Sequence, residues 1–331
     1  MNRIFQWLAL IGIAVIAIGQ TVPHGFTPQR AFTFTYSVKI YDIPGDARKL
    51  DFWVPLPRET RYQNIQNFKI QSTIPYTIQQ DPEFDNRMAY FHLEGQLPPY
   101  VSVTVTFDVQ RQAATVLEHP VRVAQLSEQE RQKFLAPDSL VPINERIFEE
   151  IRKSGGAGLP PLARARAFYD YLLQTMHYDK SGQGWGRGDA LYACDVRKGN
   201  CTDFHSLFIG MARASGIPAR FIIGFPLHRN QQEGEIPGYH CWAEFYVKGK
   251  GWIPVDISEA YKRPQEKDLL FGGLDADRVA FTIGRDIALN PPVVNHRLNY
   301  FIYPYVLVDK KPFYKFEKHF RYRDLEGTEE S

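Results

Sequence analysis

Cysteine is scarce in this chain, three residues in 331, and an odd count leaves at least one thiol outside any intramolecular disulfide. No Cys-x-x-Cys and no His-x-x-x-His occurs, so the compact spacings of a structural zinc site are missing. Charge of neither sign dominates. The 39 basic and 37 acidic side chains leave +2 with no long run of one sign, which removes the electrostatic footprint of a nucleic-acid binder. Internal repeats, low-complexity tracts and a phosphate-binding glycine loop are lacking too. No apolar stretch matches a membrane-spanning helix of roughly 20 residues, since the run Ile4 to Ile18 is only about 15 long. Placed after Asn2-Arg3 and ending near Ala17 and Gly19, that run has the form of a signal peptide over residues 1–20. It predicts export to the periplasm or cell envelope, with an uncleaved segment attaching the protein to the membrane as the alternative.

What the chain does have is apolar bulk, 44% hydrophobic and 14% aromatic, enough for the cores of about two domains. Phe32, Phe34, Tyr36 and Val38 alternate with polar residues, and Val101, Val103, Val105, Phe107 and Val109 repeat the pattern. Short runs at 50–54, 68–71 and 87–93 lie between them, separated by turn clusters such as Ile43-Pro44-Gly45-Asp46. A β-sandwich domain over residues 28–112 is predicted, as a substrate- or wall-binding module or as a structural prop. Residues 113–140 read as a linker with one short polar helix near Ser127 to Phe134, and 141–325 as a second domain. That domain opens with a helix over Val141 to Lys153 and another introduced by Pro160-Pro161. Ser181 to Asp189, with four glycines, is a flexible segment that borders a cleft or is a plain surface loop.

Cys201 heads a stretch in which Phe204, Leu207, Phe208, Met211 and Ala212 recur at helical spacing, with Asn200 before it and Gly216 and Pro218 after it. A cysteine on a helix's first turn meets unpaired N–H groups and the positive end of the dipole, both of which favour the nucleophilic thiolate. The Cys201 N–H can also face an oxyanion. His240 starts an aromatic and β-branched run to Val247; Lys248-Gly249-Lys250-Gly251 turns it back into Trp252 to Asp256. With a three-residue loop, Val247 pairs with Gly251, His240 falls opposite Ser258, and Asp256 is its diagonal neighbour. Cysteine, imidazole and carboxylate in these three settings suit a thiol mechanism. Taken singly, each has an ordinary reading: a buried cysteine, a strand-end histidine, a turn aspartate.

Four blocks make the case stronger: Gly199-Asn200-Cys201-Thr202-Asp203-Phe204, Ala214-Ser215-Gly216-Ile217-Pro218-Ala219-Arg220, His240-Cys241-Trp242-Ala243-Glu244, and Gly251-Trp252-Ile253-Pro254-Val255-Asp256. Over about 160–260 the chain resembles the bacterial branch of the transglutaminase-like superfamily of cysteine enzymes. The resemblance implies an α+β fold, a papain-like core in which the helix carrying Cys201 packs on an antiparallel sheet carrying His240 and Asp256. It implies Cys201 as nucleophile, His240 as base and Asp256 as its orienting carboxylate. Animal cross-linking members carry Gln before the cysteine and Trp after it, where this chain has Asn200 and Thr202, so hydrolysis and amine transfer both stay open. Trp185 matches no oxyanion-donor signature, and that donor is unassigned.

Neighbouring residues have quieter expectations. His205, one turn past Cys201, is expected to be a packing or surface histidine, and Asp203 to complement the helix N-terminus. Arg278 and Arg285, in a stretch similar to the segment after the core in other bacterial members, are expected in a salt-bridged loop or a cleft wall. Cys194 and Cys241 are available to pair. The expected activity is that of an exported peptidase, amidase or transglutaminase acting on a protein or peptide, with no metal and no organic cofactor. A noncatalytic scaffold or binding protein of the envelope is the contrasting expectation.

Overall fold

The computed structural model describes residues 26–117 and 125–326, so the expected signal segment 1–20 and the last residues of the polar tail lie outside the described residues. The first strands are β1 (Gln29–Ile40), β2 (Lys49–Pro55), β3 (Gln63–Ser72), β4 (Tyr76–Gln80), β5 (Arg87–Glu94) and β6 (Val101–Gln112). The period-2 reading of β1 and β6 holds residue by residue: Phe32, Phe34, Tyr36, Val101, Val103 and Phe107 are buried while the threonines between them are half-exposed. The helices are α1 (Glu128–Leu135), α2 (Glu145–Lys153), α3 (Pro161–Thr175), α4 (Ala190–Val196), α5 (Cys201–Ala214) and α6 (Ile257–Lys262). The second half adds β7 (Ala219–Pro226), β8 (Glu233–Glu235), β9 (His240–Val247), β10 (Gly251–Val255) and β11 (Arg278–Ile283). It closes with β12 (Tyr305–Val308), β13 (Lys311–Pro312) and β14 (Phe316–Asp324).

The architecture is α+β. Two five-stranded sheets, ordered β8-β14-β1-β6-β3 and β13-β12-β2-β5-β4, form one part, and a four-stranded antiparallel sheet β10-β9-β7-β11 with α5 against it forms the other. The last strands return to the first part: β14 pairs with β1 and β12 with β2, so residues 305–324 share sheets with residues 29–55. Phe34 and Tyr36 of β1 meet Phe225 of β7 and Phe281 of β11, which welds the two parts through one aromatic core.

Helix α5 is buried from Cys201 through Arg213 on every side, beyond the single apolar face its sequence predicts. Sheet β9 covers one side, where Phe208 meets Phe245, and α2, α3 and α4 cover others. Its polar residues therefore each need a partner, because a buried polar group without one costs roughly 1–3 kcal/mol. They have them. Arg213 Nε donates to the Ala219 carbonyl, and Asp203 accepts from three backbone N–H groups, those of Gly186, Gly188 and Asn200. Asp203 thus does what its sequence position predicts at the helix start and also ties down the glycine-rich segment. Arg285 holds the same segment from the far side, donating to the Gly188 and Arg187 carbonyls; it lies in the bend after β11 as expected, but its side chain is buried and bonded to carbonyls.

Candidate active site

Asn200 caps α5: its side chain accepts from the Thr202 N–H at 2.9 Å while its own N–H is taken by Asp203. Cys201 therefore occupies the first helical position, with its thiol facing the sheet and 3% of the residue exposed. Gly199 has to be glycine, since a Cβ there would stand 2.2 Å from an Asp203 carboxylate oxygen.

The hairpin brings His240 and Asp256 together by a route the sequence does not spell out. The register is as expected, Val247 opposite Gly251 through to Ala243 opposite Val255, but the ladder stops there. Asp256 is not a strand residue. It is the N-cap of α6, and Ser258, expected opposite His240, lies in that helix and donates to Asp256 Oδ1. The expected diagonal strand pair is corrected accordingly: the chain turns at Asp256, and the two carboxylate oxygens divide the work. Oδ1 accepts from the Glu259 N–H of α6 at 3.1 Å, and Oδ2 meets His240 Nε2 at 2.7 Å. His240 itself sits opposite Gly224 of β7, where the strand passes so near β11 that a Cβ would lie 1.8 Å from the Val279 carbonyl oxygen.

Arg278 is the residue that the sequence reading undervalued. It is buried on β11; its Nη1 donates to Asp256 Oδ2 at 2.8 Å, its Nε and Nη2 grip Asp275 Oδ1, and its guanidinium lies 5.1 Å from the Trp242 ring. A salt bridge was expected, in a loop; the structure puts it in a strand and against the carboxylate that faces His240.

The charges are set by this chain of contacts. Burial opposes ionisation of Asp256, yet His240 and Arg278 hold it well below the usual carboxylate range. For His240 burial again works against charge, and Asp256 first and Cys201 second raise the imidazole to about 10. Burial pushes the Cys201 thiol up, but contacts with Cys241 and His240 outweigh it and leave the thiol well below its ordinary range. The favoured state is a thiolate beside an imidazolium. With Nε2 on Asp256, the nitrogen left for Cys201 is Nδ1.

His205 is a packing histidine, fully buried, and it defines the helix side of the site. Its Nδ1–H donates to the Cys201 carbonyl at 2.7 Å, its Nε2 accepts the Ile257 N–H at 3.0 Å, and burial lowers its proton affinity. Cys241, one position past His240, points to the α5 side with its sulfur 3.8 Å from His205 Nδ1. All three cysteines are free thiols, so no bond joins Cys194 to Cys241. Tyr178 and Tyr239 stand half-buried beside Cys201; burial and then the cysteine's negative charge push the Tyr178 hydroxyl up to about 12. Neither tyrosine is singled out by the sequence, because an aromatic residue beside a turn carries no distinguishing pattern.

Residues 151–257 match the family model of the transglutaminase-like superfamily. An uncharacterized protein of Haemophilus influenzae is 27% identical to this chain over 95% of it and 97% of that protein. The uncharacterized protein YebA of Bacillus subtilis matches at 23% identity over 31% of this chain and 16% of its own length. Among solved structures, a Cytophaga hutchinsonii protein whose name proposes a cysteine protease superposes with a TM-score of 0.59 over 91% of this chain and 94% of that one. At 20% identity this similarity bears on fold alone.

Proposed function

For a chain whose residues 151–257 belong to the transglutaminase-like superfamily, we propose an exported enzyme that cleaves amide bonds through a thioester on Cys201. The observation that carries the reading is the continuous buried line from Arg278 through Asp256 to His240, ending on a thiol at a helix N-terminus. The Cys201 thiolate attacks the amide carbonyl carbon, forming a C–S bond and moving the carbonyl electron pair onto oxygen. The Thr202, Asp203 and Phe204 N–H groups are already taken by Asn200, and among the described residues no acceptor takes the Cys201 N–H. That leaves the Cys201 N–H as the first-turn donor for the oxyanion. As the intermediate collapses, the C–N bond breaks and the His240 imidazolium gives its Nδ1 proton to the leaving amine. Water or an acceptor amine then attacks the thioester, returns a proton to His240 and releases the thiolate. Water makes the enzyme a peptidase or amidase, and an amine makes it a transglutaminase.

The Cytophaga neighbour's name favours hydrolysis of a peptide, and the proposed substrate is accordingly a protein or peptide. The export part rests on the signal-like run Ile4 to Ile18.

Alkylation by iodoacetamide across pH 5 to 9, read by intact mass, tests the nucleophile. Wild type should take one label rapidly well below pH 8, and Cys201→Ala should lose it. Indifference of the labelling to His240→Ala would move the protein to the scaffold class. Incubating the unlabelled enzyme with peptide amides, with and without a primary amine, then distinguishes free acid from amine-exchanged product.

A further inference from the structure

Trp242 alternates with Cys241 along β9, so it leaves the sheet on the face away from α5, toward the strands of the first part. A cavity of about 190 Å³ lies there, walled by Ile222, Trp242, Trp252 and Leu274. Its polar lining is lopsided: Arg58, Arg61, Arg111, Arg220 and Lys250 against the single carboxylate Glu244. Glu244 is already engaged by Arg220, whose guanidinium also lies 4.0 Å from the Trp252 ring centroid. Arg58 donates to a neutral partner, the Phe84 carbonyl.

Arg111 is the most telling of these. It is 4% exposed, its Nη1 donates to the neutral Gln63 Oε1 at 2.9 Å, and among the described residues its buried Nε has no acceptor at all. A guanidinium keeps its proton in proteins, so this is a buried positive charge without a counterion. Burial first and the nearby Arg278 second lower its proton affinity to about 9, the mark of a charge that an anion would relieve. The one carboxylate in the lining is taken, and Asp275, the next acid toward the site, is held by Arg278 and Arg229.

We infer that this cavity is a binding site for a small organic carboxylate with an apolar body, its carboxylate on Arg111 and its body between Trp242 and Trp252. Charge alone would attract inorganic anions, but the aromatic and aliphatic walls leave room that water fills poorly and a hydrocarbon fills well. A cationic or zwitterionic amphiphile of the same length meets four unneutralised basic side chains once the Arg220–Glu244 pair is set aside. The site is separate from Cys201, lying across the sheet from it, and it does not depend on the amide chemistry proposed above.

Trp242 and Trp252 both face the cavity, so intrinsic fluorescence reports occupancy and calorimetry gives the affinity. The probes are decanoate, decan-1-ol and decyltrimethylammonium, each kept below its micellar concentration, added to the mature protein. Decanoate should bind and change the tryptophan emission, decanol should bind about tenfold more weakly or worse, and the ammonium should not bind, given the usual strength of a hydrogen bond to a charged group. Arg61→Glu, at an exposed residue of the rim, should weaken decanoate several-fold without touching the fold, and Arg111→Gln should weaken it about tenfold or more. If Arg111→Gln fails to fold, Arg61→Glu and the anion-to-cation contrast decide alone. Absence of decanoate binding, equal binding of the ammonium, or unchanged affinity in the folded arginine variants would overturn the assignment.

Discussion

Two imidazoles flank Cys201, one on the helix side of the site and one at the strand end, and they are in opposite states for reasons that lie entirely in their partners. His205 receives a backbone N–H on one nitrogen and gives a proton to a carbonyl with the other, while Asp256 Oδ1 comes no nearer than 3.8 Å, so both its hydrogen bonds suit the neutral ring and burial outweighs the distant carboxylate. His240 is equally buried but has a carboxylate on Nε2, and that carboxylate is itself held by Arg278. Equal burial with unequal partners gives a structural histidine and a charged one. What decides is whether the contact prefers the charged or the neutral form.

Removing His240 should give the largest separation between the two sides. In wild type the thiol ionises well below its ordinary range and the imidazolium persists up to about 10, so alkylation of Cys201 stays fast down to pH 6 and declines only at the acid end, where the thiolate is protonated. In His240→Ala the thiol is left buried without its main positive neighbour. Its labelling rate should then fall about tenfold per pH unit below the thiol range, reaching roughly a hundredfold or more below wild type at pH 6. A flat profile in the variant would mean that the helix side, not the strand side, activates the thiol.

Arg278→Gln should come next. It removes the charge behind Asp256 and breaks a buried pair on which Asp275 also relies, so stability should fall by about 3–5 kcal/mol on thermal melting. Asp256 stays ionised beside His240, but the site loses a positive charge, so the Cys201 thiolate is less favoured and the acid limb of the labelling profile should move to higher pH. Arg278→Lys keeps the charge and should recover part of the profile while losing the two-carboxylate grip. A variant that loses stability but keeps the wild-type profile would make Arg278 a structural residue only.

How far these contacts can be read in advance depends on the element. The β1 and β6 strands, α5 and the β9–β10 register come from periodicity and turn chemistry, because each has one buried face or a tight loop that sets the pairing. Strand β11 is hidden for another reason: Val279, Phe281 and Ile283 do alternate with Arg278, Ala280 and Thr282, but the pattern lasts only six residues and opens on the charged run Asp275, Asp277 and Arg278, which has the look of a loop. That is why the sequence points to a loop at Arg278. Asp256 is legible as a residue but not as an element, since Asp-Ile-Ser-Glu can end a strand or cap a helix and only the Glu259 N–H bond decides. The packing histidine is readable from its spacing to Cys201, whereas its second contact, the Ile257 N–H, comes from a residue 52 positions away and leaves no local trace.

That long-range contact gives the smallest effect on reactivity and the sharpest test of the contrast. His205→Leu fills similar space but leaves the Cys201 carbonyl without its side-chain donor and the Ile257 N–H without an acceptor, both in a dry interior. Unsatisfied groups of this kind cost about 1–3 kcal/mol each, so the melting temperature should drop by several degrees. The pH profile of Cys201 labelling should nevertheless keep its shape near neutral pH, because burial lowers the ring's proton affinity and a neutral ring contributes no charge to the thiolate. If instead the acid limb shifts as it does for His240→Ala, then His205 carries part of the positive charge at the site. The division between a structural helix side and a charged strand side would then be wrong, and the proton that leaves with the amine would have two sources rather than one.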